Sequence, residues 1–181
     1  MAEKIGRIII NSSEINLSVK NIAQQILSDN PEKNQLVFVA VLEGAKWFAN
    51  DLIKEIKKIK NVRIITESVK LSSYKGTEST GNVMVKKDVD GDISGKDVLV
   101  VEDIVDTGRT LSFLKDYLLN VKRARSVKIC SFTDKPSRRK VDVDIDYLGF
   151  KVPDKFIVGY GLDYEQKYRE LPYIAEVNVD D

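Results

Sequence analysis

Histidine is missing from this 181-residue chain, and cysteine occurs once, at Cys130. The first absence removes every serine or cysteine triad built on imidazole and every histidine-ligated zinc site. The second removes an internal disulfide framework and any cysteine-cluster metal site, and a lone thiol suits a reducing cytosol. Acid, base and metal duties therefore fall to carboxylates. Net charge is also scarce: 29 Lys and Arg stand against 28 Asp and Glu, so the chain lacks the overall field of a bulk nucleic-acid or membrane-surface binder. Long apolar runs are lacking too. The opening MAEKIGRIII carries no small-residue cleavage pattern and no segment approaches ~18 consecutive apolar residues, so neither secretion nor membrane spanning is expected. These absences point to a cytoplasmic protein with no nucleic-acid or membrane partner. The length suits one domain, 1–181, since single domains commonly run to ~100–200 residues. No repeat, low-complexity tract or linker divides it.

What is present is an alternation of strands and helices. In NSSEINLSVKNIAQQILSDN, Asn11 with Glu14 three positions on is a capping signal, and Ile15, Val19, Ile22, Ala23, Ile26 and Leu27 share one helical face. LVFVAVL (36–42) is a continuous apolar run of the kind expected for a strand covered on both faces, and after Gly44 the amphipathic AKWFANDLIKEIKKI predicts a helix. VRIITESVKL (62–71) reads as another strand, VLVVE followed by RTLSFLKDYLL repeats the strand-turn-helix unit, and SVKICSF (126–132) adds a further strand. Such alternation predicts an α/β fold with a mostly parallel central sheet flanked by helices, whose ligands sit beyond the carboxyl ends of the strands. Three segments meet that condition: Glu43–Ala45, Glu102–Thr110 and Asp134–Pro136. SSYKGTESTG (72–81) reads as a mobile lid loop, and the aromatic-rich C-terminal third breaks the rhythm.

The stretch VLVVEDIVDTGRTL, Val98 to Leu111, concentrates the chemistry. In DTGRT the first amides of a helix lack intrahelical partners and the macrodipole is positive, which makes a ready phosphate site. Gly108 permits close backbone approach, and Thr107 and Thr110 add hydroxyl donors. The nucleotide P-loop pattern G-x-x-x-x-G-K-[ST] occurs nowhere. Glu102, Asp103 and Asp106 gather like charges: two charges ~6 Å apart at an effective dielectric of ~20 repel by roughly 3 kcal/mol. Sugar hydroxyls donating to the carboxylates, or magnesium held through a few oxygens and water, would relieve that repulsion. Amides for a phosphate and acids for a diol describe a cradle for a ribose 5-phosphate. Taken singly, Asp103 or Asp106 also reads as an ordinary N-cap.

VLVVEDIVDTGRTL resembles the phosphoribosyl pyrophosphate signature of the type I phosphoribosyltransferases. FTDKP together with PDKFIVGYGLDYEQKYREL is similar to the purine-binding end of their hypoxanthine-guanine members. The resemblance extends from the turn after the 36–42 strand to Leu171. It implies that fold, with a small hood from the C-terminal segment and the N-terminus, and transfer of the phosphoribosyl group from phosphoribosyl pyrophosphate to a 6-oxopurine base with Mg2+ as cofactor. Asp106 to Thr110, including Arg109, would hold the 5-phosphate; Glu102 and Asp103 would face the ribose hydroxyls and magnesium. Asp106 would act as general base at the purine's imidazole-ring nitrogen. Lys135 would donate to the exocyclic oxygen, Phe156 would stack on the ring and the backbone of Ile157 would meet the base edge. Asp163 would help bind a second magnesium carrying pyrophosphate, with Arg169 as a cationic partner, and Ser73 and Tyr74 would close over the reacting centre. The turn Leu42-Glu43-Gly44 would bind pyrophosphate through its backbone and a cis peptide. Many relatives have a basic or neutral residue at the position of Glu43, whose side chain is expected to turn away. The family also implies a homo-oligomer, dimer or tetramer.

Plainer readings stand beside these. Lys135 reads as a solvated strand-end lysine, Phe156 as core, and Asp163 with Arg169 as a surface ion pair. The same pocket suits a regulator that senses phosphoribosyl pyrophosphate and binds nucleic acid, for which KRAR (122–125) and KPSRRK (135–140) would supply a basic face. Xanthine or pyrimidine specificity is the nearer rival within the enzyme class.

Overall fold

The computed structural model describes residues 4–73 and 83–178. The helix expected near the N-terminus is α1, Ser12–Ser28, and its capping box is formed: Glu14 N donates to Asn11 Oδ1 at 3.0 Å and Asn11 N to Glu14 Oε2 at 2.8 Å. Ile15, Val19, Ile22, Ala23 and Ile26 are buried along one face, with Leu27 at its margin. The 36–42 run lies in β2, Gln35–Leu42, and its continuous apolarity has a simple cause. Leu36, Phe38 and Ala40 pack against α1 and α2 (Lys46–Ile59) on one face, while Val37, Val39 and Val41 belong to a second core on the other. Successive strand residues point to opposite faces, so a strand covered on both sides needs no polar positions.

Five strands join β2 in a sheet of order β4-β3-β2-β5-β6-β7, where β3 is Arg63–Ser73, β4 Val83–Lys87, β5 Asp97–Val105, β6 Ser126–Asp134 and β7 Tyr147–Lys151. All neighbours are parallel except β3 and β4. On the α1 and α2 side, Phe132 anchors the core, its ring centroid 4.9 Å from Phe48, 4.8 Å from Tyr160 and 5.5 Å from Phe150. Complete burial of a side chain such as Phe48, Leu52 or Phe132 contributes roughly 1.5–3 kcal/mol each. On the opposite side Leu111, Leu114 and Leu118 cover the sheet. They come from α3, Arg109–Asp116, and the π-helical turn Tyr117–Val121 that replaces the last turn of the expected helix. Asp88 anchors that turn, accepting from Tyr117 Oη at 2.7 Å and pairing with Lys122 at 2.5 Å.

The C-terminal third departs from the alternation. No α-helix joins β6 to β7; a 3-10 turn, Pro136–Arg138, and an irregular segment do so. Beyond β7 lies a three-stranded antiparallel sheet of order β1-β9-β8, from Lys4–Ile10, Ile174–Asn178 and Ile157–Val158. The short apolar run near the N-terminus is thus β1, and the expected hood draws on both ends of the chain. The order of the large sheet reverses between β2 and β5, the place where open α/β sheets bind ligands. Beside it lie the loops after β2, β5 and β6, the three segments singled out above.

Candidate active site

The sequence places Glu102 and Asp103 just past a strand. In the structure β5 continues through both to Val105, because β6 stays paired alongside it as far as Val105 with Asp134. The chain then turns through Asp106 and Thr107 into α3, whose N-cap is Gly108. Glu102, Ile104, Val105, Asp106, Thr107, Gly108, Thr110 and Leu111 line one hollow of about 110 Å3. Glu102, Asp106, the two threonines and the start of α3 therefore border the same space. Gly108 has φ +82°, and a Cβ there would run into the carbonyl of Val141. Close approach at Gly108 thus includes the chain itself: the segment after β6 folds back, Lys140 N and Val141 N donating to Thr107 O at 2.9 and 3.0 Å.

Glu102 is 6% exposed, and its Oε1 accepts from Asp103 N at 3.1 Å. Burial, and after it the adjacent Asp103 carboxylate, push the Glu102 carboxyl well above its usual range. Neither acid forms a salt bridge among the described residues, so their repulsion has no protein cation to offset it. No group of three acidic side chains converges there among the described residues, but magnesium usually takes only one or two carboxylates and completes its shell with water and phosphate oxygens. An acid pair without a protein cation among the described residues, one member of which lines that hollow, fits such an ion.

Asp103 also faces the turn after β2. A Cβ on Gly44 would overlap the Asp103 carboxylate, and a Cβ on Gly161 would overlap the Gly44 carbonyl. Three distant segments thus meet at atoms where no side chain fits. The Leu42-Glu43 peptide is cis. Glu43 Oε1 accepts from Lys70 Nζ at 3.1 Å, so its carboxylate is taken up by β3. Gly161 O accepts from Arg169 Nη1 at 2.7 Å, and Arg169 Nη2 lies 2.6 Å from Asp163 Oδ1. The two side chains are only 16% and 24% exposed, so this is no ordinary surface pair. Asp163 Oδ2 also accepts from Gln166 N at 2.8 Å.

Residues 9–165 match the phosphoribosyl transferase domain family. The chain is 46% identical to a hypoxanthine-guanine phosphoribosyltransferase of Streptococcus thermophilus, over 97% of this chain and 95% of that one. The chain belongs to the phosphoribosyl transferase family. A crystal structure of a hypoxanthine-guanine phosphoribosyltransferase from Bacillus anthracis superposes with a TM-score of 0.89 at 43% identity, covering 98% of this chain and 100% of that one. The bifunctional TilS/HprT protein of Listeria monocytogenes is 41% identical over 97% of this chain, which spans only 26% of that relative's length.

The residues expected to face the base also lie near one another. Lys135 is 7% exposed and donates from Nζ to Lys155 O at 2.6 Å, next to Phe156; burial lowers its pKa. The solvated-lysine reading is therefore wrong. So is the core reading of Phe156, which is 63% exposed and meets Tyr164 edge-on at 6.0 Å. Ile157 pairs with Glu176, while Val177 N donates to Phe156 O at 2.9 Å. Hydrogen-bonded and non-bonded pairs alternate along an antiparallel ladder, and β8 is an outer strand of its sheet. The N–H and C=O of Ile157 consequently point to its open edge.

Asp106 brings in residues that the sequence reading missed. Arg138 Nε lies 2.8 Å from Asp106 Oδ1, Arg139 Nε donates to Asp106 O at 3.2 Å, and Arg139 also pairs with the buried Asp134. Arg138 and Arg139 of KPSRRK thus brace the loop after β5. The basic face that the regulator reading needs is partly taken up by the protein itself: in KRAR, Lys122 pairs with Asp88 and Arg125 with Asp97. Spacing alone carries no signal for the pairs of Arg138 and Arg139, which depend on how the 135–141 segment folds back. Of the two residues assigned to the lid, Ser73 ends β3 and pairs with Val83; Tyr74 and the rest of the loop to 82 lie outside the described residues.

Proposed function

We propose that this chain transfers the 5-phosphoribosyl group of phosphoribosyl pyrophosphate to hypoxanthine or guanine, forming IMP or GMP and releasing pyrophosphate, the chemistry of purine salvage. The observation that carries the reading is the single hollow lined by Glu102, Asp106, Thr107, Gly108 and Thr110. The amides and hydroxyls of residues 107–110 take the 5-phosphate. Glu102 and Asp103 accept from the ribose hydroxyls and hold magnesium, while Asp163 with Arg169, beside Gly161 and Gly44, serves a second ion and pyrophosphate. The backbone of Leu42, Glu43 and Gly44 supplies the remaining pyrophosphate contacts. Magnesium held by Glu102, Asp103 and Asp163 would supply neutralisation of the charge on departing pyrophosphate.

The purine stacks on Phe156 and meets the open backbone edge of Ile157, and Lys135 donates to its exocyclic oxygen. The bond from the anomeric carbon to pyrophosphate oxygen breaks, its electron pair leaving with pyrophosphate. The purine ring nitrogen then forms the new bond to that carbon, and its proton passes to Asp106. All of this falls in one catalytic unit spanning 1–181, a reading supported by the pairing of β1 with β9 across the two ends of the chain. The same reading places the protein in the cytoplasm as a homodimer or homotetramer. No helix among the described residues is long and apolar enough to cross a membrane.

Adenine, hypoxanthine, guanine and xanthine, assayed with phosphoribosyl pyrophosphate with and without magnesium, test the proposal. A lysine only donates, so an exocyclic oxygen accepts a further hydrogen bond from Lys135, beyond the one to Lys155 O, whereas an exocyclic amino group cannot accept it. Hypoxanthine and guanine are expected to give nucleotide only with magnesium, and adenine none. Product from adenine alone, or from no base at all, contradicts the assignment.

A further inference from the structure

The two carboxylate oxygens of Asp106 sit in unlike settings. Oδ1 is buried and has no well-aligned hydrogen bond, its one close partner being Arg138 Nε at 2.8 Å. The side chain as a whole is 44% exposed, so Oδ2 carries the accessible surface. Other cations lie near but are committed elsewhere. Lys135 Nζ donates to Lys155 O, and Arg139 serves the backbone carbonyl of Asp106 and the carboxylate of Asp134. Glu102, across the hollow, carries no donor for Asp106 when ionised. Among the described residues, Arg138 alone pairs with the carboxylate. Its guanidinium is tethered from the far side by Asp154 Oδ1, 3.3 Å from Nη1. Its backbone is fixed in the 3-10 turn that Pro136 opens, with Arg138 N donating to Lys135 O at 3.1 Å. Asp154 stands two residues before Phe156, so the bridge Asp106–Arg138–Asp154 links the loop after β5 to the platform for the base.

We propose that Arg138 is a positioning residue of the transfer reaction: held between Asp106 and Asp154, it grips Asp106 by Oδ1 and keeps Oδ2 aimed at the incoming base. The inference rests on the reading of Asp106 as the group that takes the purine proton. An aspartate released from this grip samples several χ1 and χ2 settings, of which few point Oδ2 at a ring nitrogen. The loss then falls on turnover and not on binding, since Arg138 reaches neither the phosphate amides nor the Gly44 turn.

The test is steady-state kinetics on four single variants and two double variants, with folding checked by thermal denaturation. Arg138→Gln is expected to lower kcat by ~10-fold with KM for phosphoribosyl pyrophosphate within ~2-fold, and Arg138→Lys to recover most of the loss. Asp154→Asn, which removes only the outer tether, is expected to lower kcat by ~3-fold and gives the answer should Arg138→Gln fold poorly. In an Asp106→Asn background both changes should have no further effect, because they act through the carboxylate that is gone. Losses that multiply with Asp106→Asn indicate a merely structural role and overturn the proposal. So does wild-type kcat in both Arg138→Gln and Asp154→Asn, and if Asp106→Asn is itself slow the base assignment survives that result. Wild-type turnover in Asp106→Asn overturns the base assignment and this inference together.

Discussion

Turnover of the Asp106→Asn protein is expected to fall by about 100-fold, with KM for both substrates within about twofold of wild type. The substitution is nearly isosteric and leaves the backbone in place, including the Asp106 carbonyl that Arg139 holds. An amide oxygen in the Oδ1 position still meets Arg138. What changes is the exposed side of the group, where a carboxylate oxygen able to take a proton is replaced by an amide without that capacity. In the proposed reading the 5-phosphate is bound by the amides and hydroxyls of 107–110, which the change does not touch. Steady-state kinetics with hypoxanthine measure both quantities; a rise in KM at constant kcat assigns Asp106 to binding instead.

Gly44→Ala should cost as much, by another route. The new Cβ falls on the Asp103 carboxylate, which is the mobile end of a short side chain and can rotate away. The fold is therefore expected to survive with little change in Tm, while kcat/KM drops by about 100-fold because an acid beside the pyrophosphate turn has moved by roughly 1 Å. Gly161→Ala is the informative contrast. Its Cβ meets the carbonyl of Gly44 and its φ is +97°, so only backbone can yield. That protein should lose activity and roughly 1–3 kcal/mol of stability together. Equal thermal shifts in the two variants contradict the view that Gly44 is set by the acid and Gly161 by the turn.

Much of the fold was legible because it obeys local rules. The Asn11 and Glu14 capping box, the two-sided apolarity of β2 and the strand-turn-helix unit around Gly108 each depend on residues within a few positions of one another. The short strands were not. β4, VMVKK, is five residues long at the sheet's edge and only partly buried. β8 has two residues, and its partner β9 is itself paired to the far end of the chain. The candidate site divides the same way. The acids and threonines of 102–110 stand out as a string, whereas Arg138 and Arg139 show in the sequence only as part of a basic run, because their partners Asp106 and Asp134 become neighbours only when the 135–141 segment lies back over Thr107. Gly161 was equally silent, since its requirement comes from Gly44, more than a hundred residues earlier in the chain. Phe156 shows the opposite limit: an apolar residue in an apolar run is assigned to the core by pattern, and only its 63% exposure places it at the surface.

The most direct test is a crystal structure of the chain with phosphoribosyl pyrophosphate and magnesium. The account predicts the 5-phosphate within hydrogen-bond reach of the amides of residues 107–110, with the Glu102 and Asp103 carboxylates turned to the ribose hydroxyls and the ion, and pyrophosphate against Gly44. A sugar phosphate seated elsewhere, with the 106–110 hollow filled by solvent alone, contradicts it.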